Sequence, residues 1–117
     1  MKFIRLLIGV MVLAGTLLAG MNDFVGTYIF NNGRYVKTVV LKADASGAWT
    51  YHNNKSSAYD YDEIITWSYK PSDNSVVIEL MTQNADGRIQ SKGQKIILVP
   101  MGNTLKPEYS EEVFKAK

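Results

Sequence analysis

Hydrophobic and polar residues alternate in short runs along most of this chain, and turn-forming residues separate the runs. Alternation with a period of two places successive side chains on opposite faces of a β-strand. Residues 62–70 show it well, because Ile65, Trp67 and Tyr69 share one face. The pattern predicts strands at 23–30, 34–42, 48–52, 62–70 and 75–81. A sixth begins near 88, its partner ends in the apolar run 96–99, and a short strand begins at 104–105.

Glycine, asparagine, aspartate and proline mark the connections between these strands. Asn32-Gly33 is the strongest hairpin signal, because both residues tolerate a positive φ. Further turns are predicted at 44–47, 71–74, 84–87 and 101–103, whereas 91–93 fits either a turn or a bulge. We therefore predict an all-β antiparallel meander of about seven or eight strands. Closure into a small barrel is favoured because it removes exposed sheet edges.

Two segments depart from the strand pattern. Residues 53–61 form the longest polar break and predict an irregular loop. Residues 110–117 predict one helical turn, with Ser110 as the cap and Glu111 and Glu112 at its positive end. Phe114 or its neighbour Val113 would then pack back on the domain.

The predicted strands carry an aromatic face. In the first strand Gly26 lies among aromatic positions, which predicts that another segment packs closely there. Six aromatic side chains have parities that allow all of them to point into the barrel: Tyr28, Phe30, Trp49, Tyr51, Trp67 and Tyr69. They can fill the interior or line a pocket for an apolar or aromatic ligand. We favour a filled core, which is usual for barrels of this size.

Residues 1–20 have the organisation of a signal peptide. Lys2 and Arg5 form a positive start, 6–18 is predominantly apolar, and small residues follow. The apolar segment is shorter than the roughly 20 residues of a membrane-spanning helix. The sequence therefore predicts an exported protein, periplasmic or extracellular, with one domain at 21–117. An uncleaved anchor is the alternative, and it would be the domain's sole link to a membrane.

The excess positive charge of the chain lies in this leader. The whole chain has a net charge of +2, whereas basic and acidic residues balance once Lys2 and Arg5 are removed. Proteins that bind nucleic acid usually carry a basic surface. We therefore predict no nucleic-acid partner.

Leu18-Ala19-Gly20-Met21 resembles a bacterial lipoprotein box, in which the last residue is cysteine. Methionine offers no thiol to acylate, so this sequence cannot be lipidated at position 21. It fits an ordinary secretory signal, or a relative of lipoproteins that has lost its anchor. The protein would be an outer-membrane lipoprotein if position 21 were naturally cysteine.

The order of short motifs after the leader resembles the lipocalin-like small barrels of bacterial envelopes. Within that group it is most similar to the N-terminal domain of the NlpE-type copper-homeostasis lipoproteins. The motifs that carry the resemblance are Gly26-Thr27-Tyr28, the strand pair over 37–51, Ile65-Thr66-Trp67, the segments 74–78 and 97–99, and Gly102-Asn103-Thr104-Leu105. The resemblance implies a barrel with a ligand cavity or a protein partner.

One departure from that family concerns metal chemistry. The family carries Cys-x-x-Cys after its first strand, where this chain has Asn31-Asn32-Gly33-Arg34, and the chain contains no cysteine. The family's thiol and copper roles are therefore not carried over. His52 with Met81 and Met101 are the remaining soft ligands, and we predict no metal site and no cofactor.

The other polar residues give little support to catalysis. Asp60, Asp62 and Glu63 form an acidic group, but it lacks the spacing and glycine of a calcium loop. The chain has no Gly-x-Ser-x-Gly elbow and no glycine-rich phosphate loop. We predict a non-enzymatic binding domain for a small apolar ligand or an envelope protein. The alternative is a protein-interaction or inhibitor module with a filled core, acting through 53–61 or a strand edge.

Overall fold

The computed structural model describes residues 20–117, which fold into a closed barrel of eight strands. The all-β barrel predicted from the alternation is thereby confirmed. The predicted signal peptide lies outside the described residues except for Gly20. Within the described part of the chain, helices are too short to cross a membrane. The strands are β1 Gly26–Asn31, β2 Tyr35–Leu41, β3 Ser46–Asn53, β4 Tyr61–Lys70, β5 Ser75–Gln83, β6 Ile89–Met101, β7 Thr104–Pro107 and β8 Phe114–Ala116.

Each strand pairs antiparallel with the next, and β8 also pairs with β1 to complete the barrel. The connections therefore alternate between two ends. We call the end formed by 42–45, 71–74 and 102–103 the floor. We call the end formed by 32–34, 54–60, 84–88 and 108–113 the mouth. A short 3-10 helix, Met21–Phe24, precedes β1 at the floor.

The C-terminal segment is a strand, so the predicted helical turn at 110–117 is wrong. Phe114 pairs with Leu105 of β7, and Ala116 pairs with Tyr28 of β1. The Lys117 backbone N–H also donates to the Thr27 carbonyl at 2.8 Å. A helical turn would satisfy only its own backbone, whereas this strand satisfies the edges of β1 and β7 together.

The entry into β1 differs from the prediction in two ways. The strand begins at Gly26, because Met21–Phe24 forms the 3-10 helix and packs the Phe24 ring 4.5 Å from Tyr69. A Cβ at Gly26 would meet nothing within 4 Å, so the expected close packing there is wrong. The glycine is needed for its φ of +151°, which side-chain-bearing residues rarely adopt.

Residues 91–93 belong to a bulge inside β6. Glu79 lies opposite Lys95 and Met81 lies opposite Ser91, so β6 has two more residues than β5 over this interval. Gly93 has a φ of +78° at this point. The bulge lets β6 continue as one strand from floor to mouth, where the sequence allowed a turn instead.

The core lies in the lower and middle barrel. Eight hydrophobic residues from six strands are at most 1% exposed: Val39, Leu41, Ile65, Val76, Ile78, Leu98, Leu105 and Phe114. Burying one such side chain contributes about 1.5–3 kcal/mol. Most of these positions alternate with more exposed neighbours, as the period-two pattern requires, whereas Ser75 beside Val76 is also buried.

Candidate functional site

The structure separates the six predicted interior aromatics into three levels. Tyr28, Trp67 and Tyr69 lie toward the floor, Phe30 and Trp49 lie at mid-height, and Tyr51 lies at the mouth. All six belong to the inward-facing series of their strands. Phe30 and Trp49 are joined through the ring of Phe114, and Phe30 and Tyr51 through the ring of Tyr35.

The floor aromatics use their polar atoms within the protein. The Tyr28 hydroxyl donates to the Phe24 carbonyl at 3.0 Å, and the Trp67 Nε1–H donates to the Lys42 carbonyl at 2.9 Å. The Tyr69 hydroxyl donates to Asn74 Oδ1 at 2.8 Å. Burial raises the pKa of Tyr28. These three side chains hold the floor turns against the barrel, which is a structural role.

Phe114 occupies the middle of the barrel. Its ring lies 6.0 Å from Phe30 and 5.5 Å from Trp49, centre to centre, and its side chain is fully buried. Offset aromatic contacts of this kind add to the stability from burial. The mid-height aromatics therefore pack against protein.

Three tyrosines form a stack at the mouth. The Tyr51 ring centre lies 5.3 Å from Tyr35 on one side and 5.3 Å from Tyr61 on the other, with interplanar angles of 27° and 5°. The Tyr35 ring packs on Phe30, with 5.9 Å between the ring centres, whereas the Tyr61 side chain is 44% exposed. The end of the stack at Tyr61 therefore faces solvent. We call Tyr35, Tyr51 and Tyr61 the tyrosine stack.

The candidate set from the sequence included only Tyr51 of this stack. The signal that could have identified the other two tyrosines is their position in the alternation of each strand. Tyr35 alternates with Val39, and Tyr61 alternates with Ile65, so each belongs to an inward-facing series. Both positions start a strand, where the sequence pattern does not fix the first residue.

A partly buried ion pair holds the Tyr35 end of the stack in place. The Tyr35 hydroxyl donates to Glu112 Oε2 at 2.6 Å, and Lys37 Nζ donates to Glu112 Oε1 at 2.8 Å. Lys37 Nζ also lies 5.5 Å from the centre of the Tyr35 ring. The hydrogen bond to Glu112 raises the pKa of Tyr35, which stays protonated. Burial raises the pKa of Glu112, but the hydrogen bonds from Lys37 and Tyr35 outweigh it and lower the pKa overall.

A second ion pair crosses the mouth on the opposite side. Lys92 Nζ of β6 lies 2.6 Å from Glu63 Oε2 of β4, and both side chains are partly buried. The mouth therefore contains two Lys–Glu pairs in which both side chains are partly buried, and the charges within each pair cancel. Its polar groups are arranged as pairs around aromatic rings, which suits a neutral ligand better than an ion.

Side-chain hydrogen bonds hold the loop 54–60 in a defined conformation. Asp60 Oδ1 accepts the Asn53 backbone N–H at 2.7 Å, and Asp60 Oδ2 lies 2.7 Å from His52 Nδ1. The Asn53 hydrogen bond, followed by the one with His52, lowers the pKa of Asp60. Ser57–Tyr59 forms a short 3-10 helix capped by Ser56. The predicted loop is therefore present between β3 and β4, and asparagine and aspartate side chains satisfy its backbone.

The soft ligands considered from the sequence are dispersed. His52 lies at the mouth, whereas Met101 lies next to the floor turn 102–103. Met81 is opposite Ile64 on another part of the wall. Across residues 20–117, histidine, aspartate and glutamate side chains form no cluster of three that could hold a metal ion.

The stack hydroxyls differ in whether they have partners within the protein. The hydroxyl of Tyr51 accepts a hydrogen bond from Asn53 Nδ2 at 3.1 Å, so two of the three stack hydroxyls are occupied. Tyr61 offers an aromatic ring to solvent beside the Glu63–Lys92 pair. Such a ring with nearby polar groups can hold and orient a small molecule.

Comparison with known proteins does not extend this description. No protein-family model, no curated protein and no solved structure matches this chain. The fold and the mouth define it as a small closed antiparallel β-barrel with eight strands.

Proposed function

We propose that this protein is a non-enzymatic binding domain that takes a small apolar or aromatic ligand at its mouth. The observation that carries the proposal is the tyrosine stack, which ends in a half-exposed ring at Tyr61. The resemblance of the strand motifs to lipocalin-like envelope barrels supports the same class of function, because those barrels present ligands at an open end.

The proposal assigns the ligand to the mouth and not to the barrel centre. Phe114, Trp49 and Phe30 pack together at mid-height and leave the tyrosine stack above them as the accessible aromatic surface. A ligand ring would extend the stack by lying on the outer side of Tyr61. The paired charges of Lys37–Glu112 and Lys92–Glu63 favour an uncharged ligand.

Fluorescence titration with N-phenyl-1-naphthylamine, a neutral aromatic probe, tests the proposal. We expect saturable binding to the unaltered protein. Tyr61→Ala should weaken it about tenfold, the equivalent of about 1.4 kcal/mol of lost stacking and burial. Met101→Ala is the control, because Met101 is 64% exposed but lies at the floor end of β6.

Two outcomes would refute this assignment. One is the absence of saturable binding to the probe and to a neutral lipid such as monoolein. The other is equal weakening by Tyr61→Ala and Met101→Ala, which would indicate non-specific adsorption on exposed apolar side chains.

Export to the periplasm or the cell exterior is part of the proposal. Its support is the leader at 1–20, with its two basic residues and apolar stretch. N-terminal sequencing of protein from the envelope fraction should find a start near position 21. A chain that retains Met1 in the soluble cytoplasmic fraction would refute export.

A protein-interaction module is the second candidate function, and the loop 54–60 favours it. Hydrogen bonds hold this loop in shape, and it presents Tyr59, which is 68% exposed. Rigid loops with an exposed tyrosine are common contact surfaces. Capture of one specific envelope protein that is lost in Tyr59→Ala, but kept in Met101→Ala, would support this function over the first.

A further inference from the structure

The longest strand of the barrel has a free edge. β6 runs from Ile89 to Met101, and β5 pairs with it along nearly this whole length. On its other side, β7 pairs only with Leu98–Met101. Among residues 20–117, the stretch 89–96 therefore has no strand partner on the β7 side.

The edge is free because the chain turns away from it. The Glu108 N–H donates to the Ile97 carbonyl at 2.9 Å, and a turn follows in which Ser110 N–H donates to the Pro107 carbonyl. The chain then crosses to β2, where Glu112 meets Tyr35 and Lys37. The contacts that build the mouth thus separate the 108–113 connection from the upper part of β6.

The free edge has backbone groups suited to pairing. The Ile97 carbonyl faces the β7 side, so alternation along the strand directs the backbone of Lys95 to the same side. Such a row of unpaired N–H and C=O groups is the surface that an added strand occupies in β-augmentation.

The side chains along this edge are basic. Arg88, Lys92 and Lys95 lie within 88–95, and this segment contains no acidic residue. Arg88 is paired with Asp86 at 3.3 Å and Lys92 with Glu63 at 2.6 Å. Lys95 has no ion-pair partner in the described part of the chain, so it supplies the positive charge available to a bound segment. Edge pairing between two copies would bring these lysines together, and lysines on an edge commonly prevent such self-association.

An apolar cleft of about 250 Å³ adjoins the lower end of the free edge. Ile97, Pro107 and the almost fully exposed Tyr109 contribute to its lining, together with Lys95 and Glu108. A bound strand that continues toward β7 would place one side chain in this cleft. The cleft therefore selects for an apolar residue near a residue that can pair with Lys95.

We propose that the free edge of β6 binds an extended segment of a partner protein in which acidic and apolar residues alternate. The segment would add a strand beside 89–96, place a carboxylate near Lys95 and insert an apolar side chain between Ile97 and Tyr109. This surface is separate from the tyrosine stack. The inference therefore does not depend on the function proposed above.

Peptide titration followed by amide chemical shifts tests this inference. The probe is a blocked nine-residue peptide of alternating glutamate and valine, and its matched control alternates lysine and valine. We expect the glutamate peptide to shift the amides of 89–96, and the lysine peptide to leave them unchanged. Raising the salt concentration should weaken the binding, because the charges are exposed.

Variants at Lys95 separate backbone pairing from charge. Lys95→Pro removes both the edge N–H and the charge and should weaken binding about tenfold or more, as expected for a lost pairing hydrogen bond with its charge contact. Lys95→Thr keeps the N–H and should weaken binding at most about fivefold. Methylation of alternate peptide amides should abolish binding to the unaltered protein, and this measurement holds even if Lys95→Pro does not fold.

The inference is overturned if both peptides bind equally, if neither binds, or if the shifts fall on the tyrosine stack. It is also overturned if sedimentation velocity shows that the protein alone forms a dimer that Lys95→Pro abolishes. The edge would then be an interface between two copies of the chain.

Discussion

The floor and the mouth of this barrel contain similar aromatic residues in opposite circumstances. At the floor, Trp67 and Tyr69 donate their hydrogen bonds to the turn segments beneath them. At the mouth, Tyr51 and Tyr61 stack on each other, and Tyr61 is half exposed. The comparison shows that residue type alone does not identify a site. What distinguishes the two ends is whether the aromatic surface is used within the protein or remains available.

The largest effect should follow from removing the side chain that separates the two ends. Phe114→Ala leaves a cavity between Phe30 and Trp49, and such changes cost about 3–5 kcal/mol. Urea unfolding measures the free energy of unfolding. Tyr109→Ala serves as the control and should change it by less than about 0.5 kcal/mol. An equal loss in both variants would mean that Phe114 is not the centre of the core.

The next effect concerns the close contact of β2 and β3 near the floor. A Cβ at Gly47 would lie 2.0 Å from the Val40 carbonyl oxygen and 3.2 Å from Ile65 Cδ1. Because a backbone atom must shift, Gly47→Ala should destabilise the protein by about 1–3 kcal/mol. Thermal unfolding of this variant should show a lower midpoint. An unchanged midpoint would contradict the strand spacing described here.

A smaller effect is expected at the mouth from Glu112→Gln. The change removes the carboxylate that Lys37 and Tyr35 share, and both partners are only partly buried. We expect a loss of about 1 kcal/mol in the free energy of unfolding. Lys106 pairs loosely with the exposed Glu111, so Glu111→Gln is the matched control and should have no measurable effect. Equal losses would show that the Glu112 contacts do not stabilise the mouth.

The Glu112 carboxylate also makes the free energy of unfolding depend on pH. The folded state lowers the pKa of Glu112 and of Asp60, so the folded state binds these protons less readily than the unfolded state. Their contribution to stability is therefore present above the unfolded values of about 4 and is lost as the pH falls below them. Urea midpoints measured from pH 7 to pH 3 should fall on the acid side. The fall should be shallower in Glu112→Gln, and an identical profile would contradict the assignment.

The barrel could be predicted because most of its strands are recognisable from their own residues. Period-two alternation and turn residues mark β1 to β6 to within a few residues of their observed bounds. The C-terminal strand could not be recognised in this way. Phe114–Ala116 is too short to show a period, and it is a strand because β1 and β7 both need a partner.

The mouth could be predicted only in part. The inward parity of Tyr35 and Tyr61 is present in the sequence once the strand starts are known. The contact of Lys37 with Glu112 joins residues 75 positions apart, and no local pattern indicates it. The free edge of β6 likewise depends on where β7 ends, which is a property of the closed barrel.

One paired measurement tests the difference between the two ends most directly. Tyr61→Ala and Tyr69→Ala should each be compared with the unaltered protein for N-phenyl-1-naphthylamine affinity and for the free energy of unfolding. We predict that Tyr61→Ala lowers the affinity about tenfold with a change in stability below about 1 kcal/mol, because its ring is half exposed. Tyr69→Ala should instead lower the stability and leave the affinity unchanged, because its ring packs on Phe24 at the floor. The opposite result, with affinity lost at Tyr69 and retained at Tyr61, would contradict the assignment of binding to the mouth.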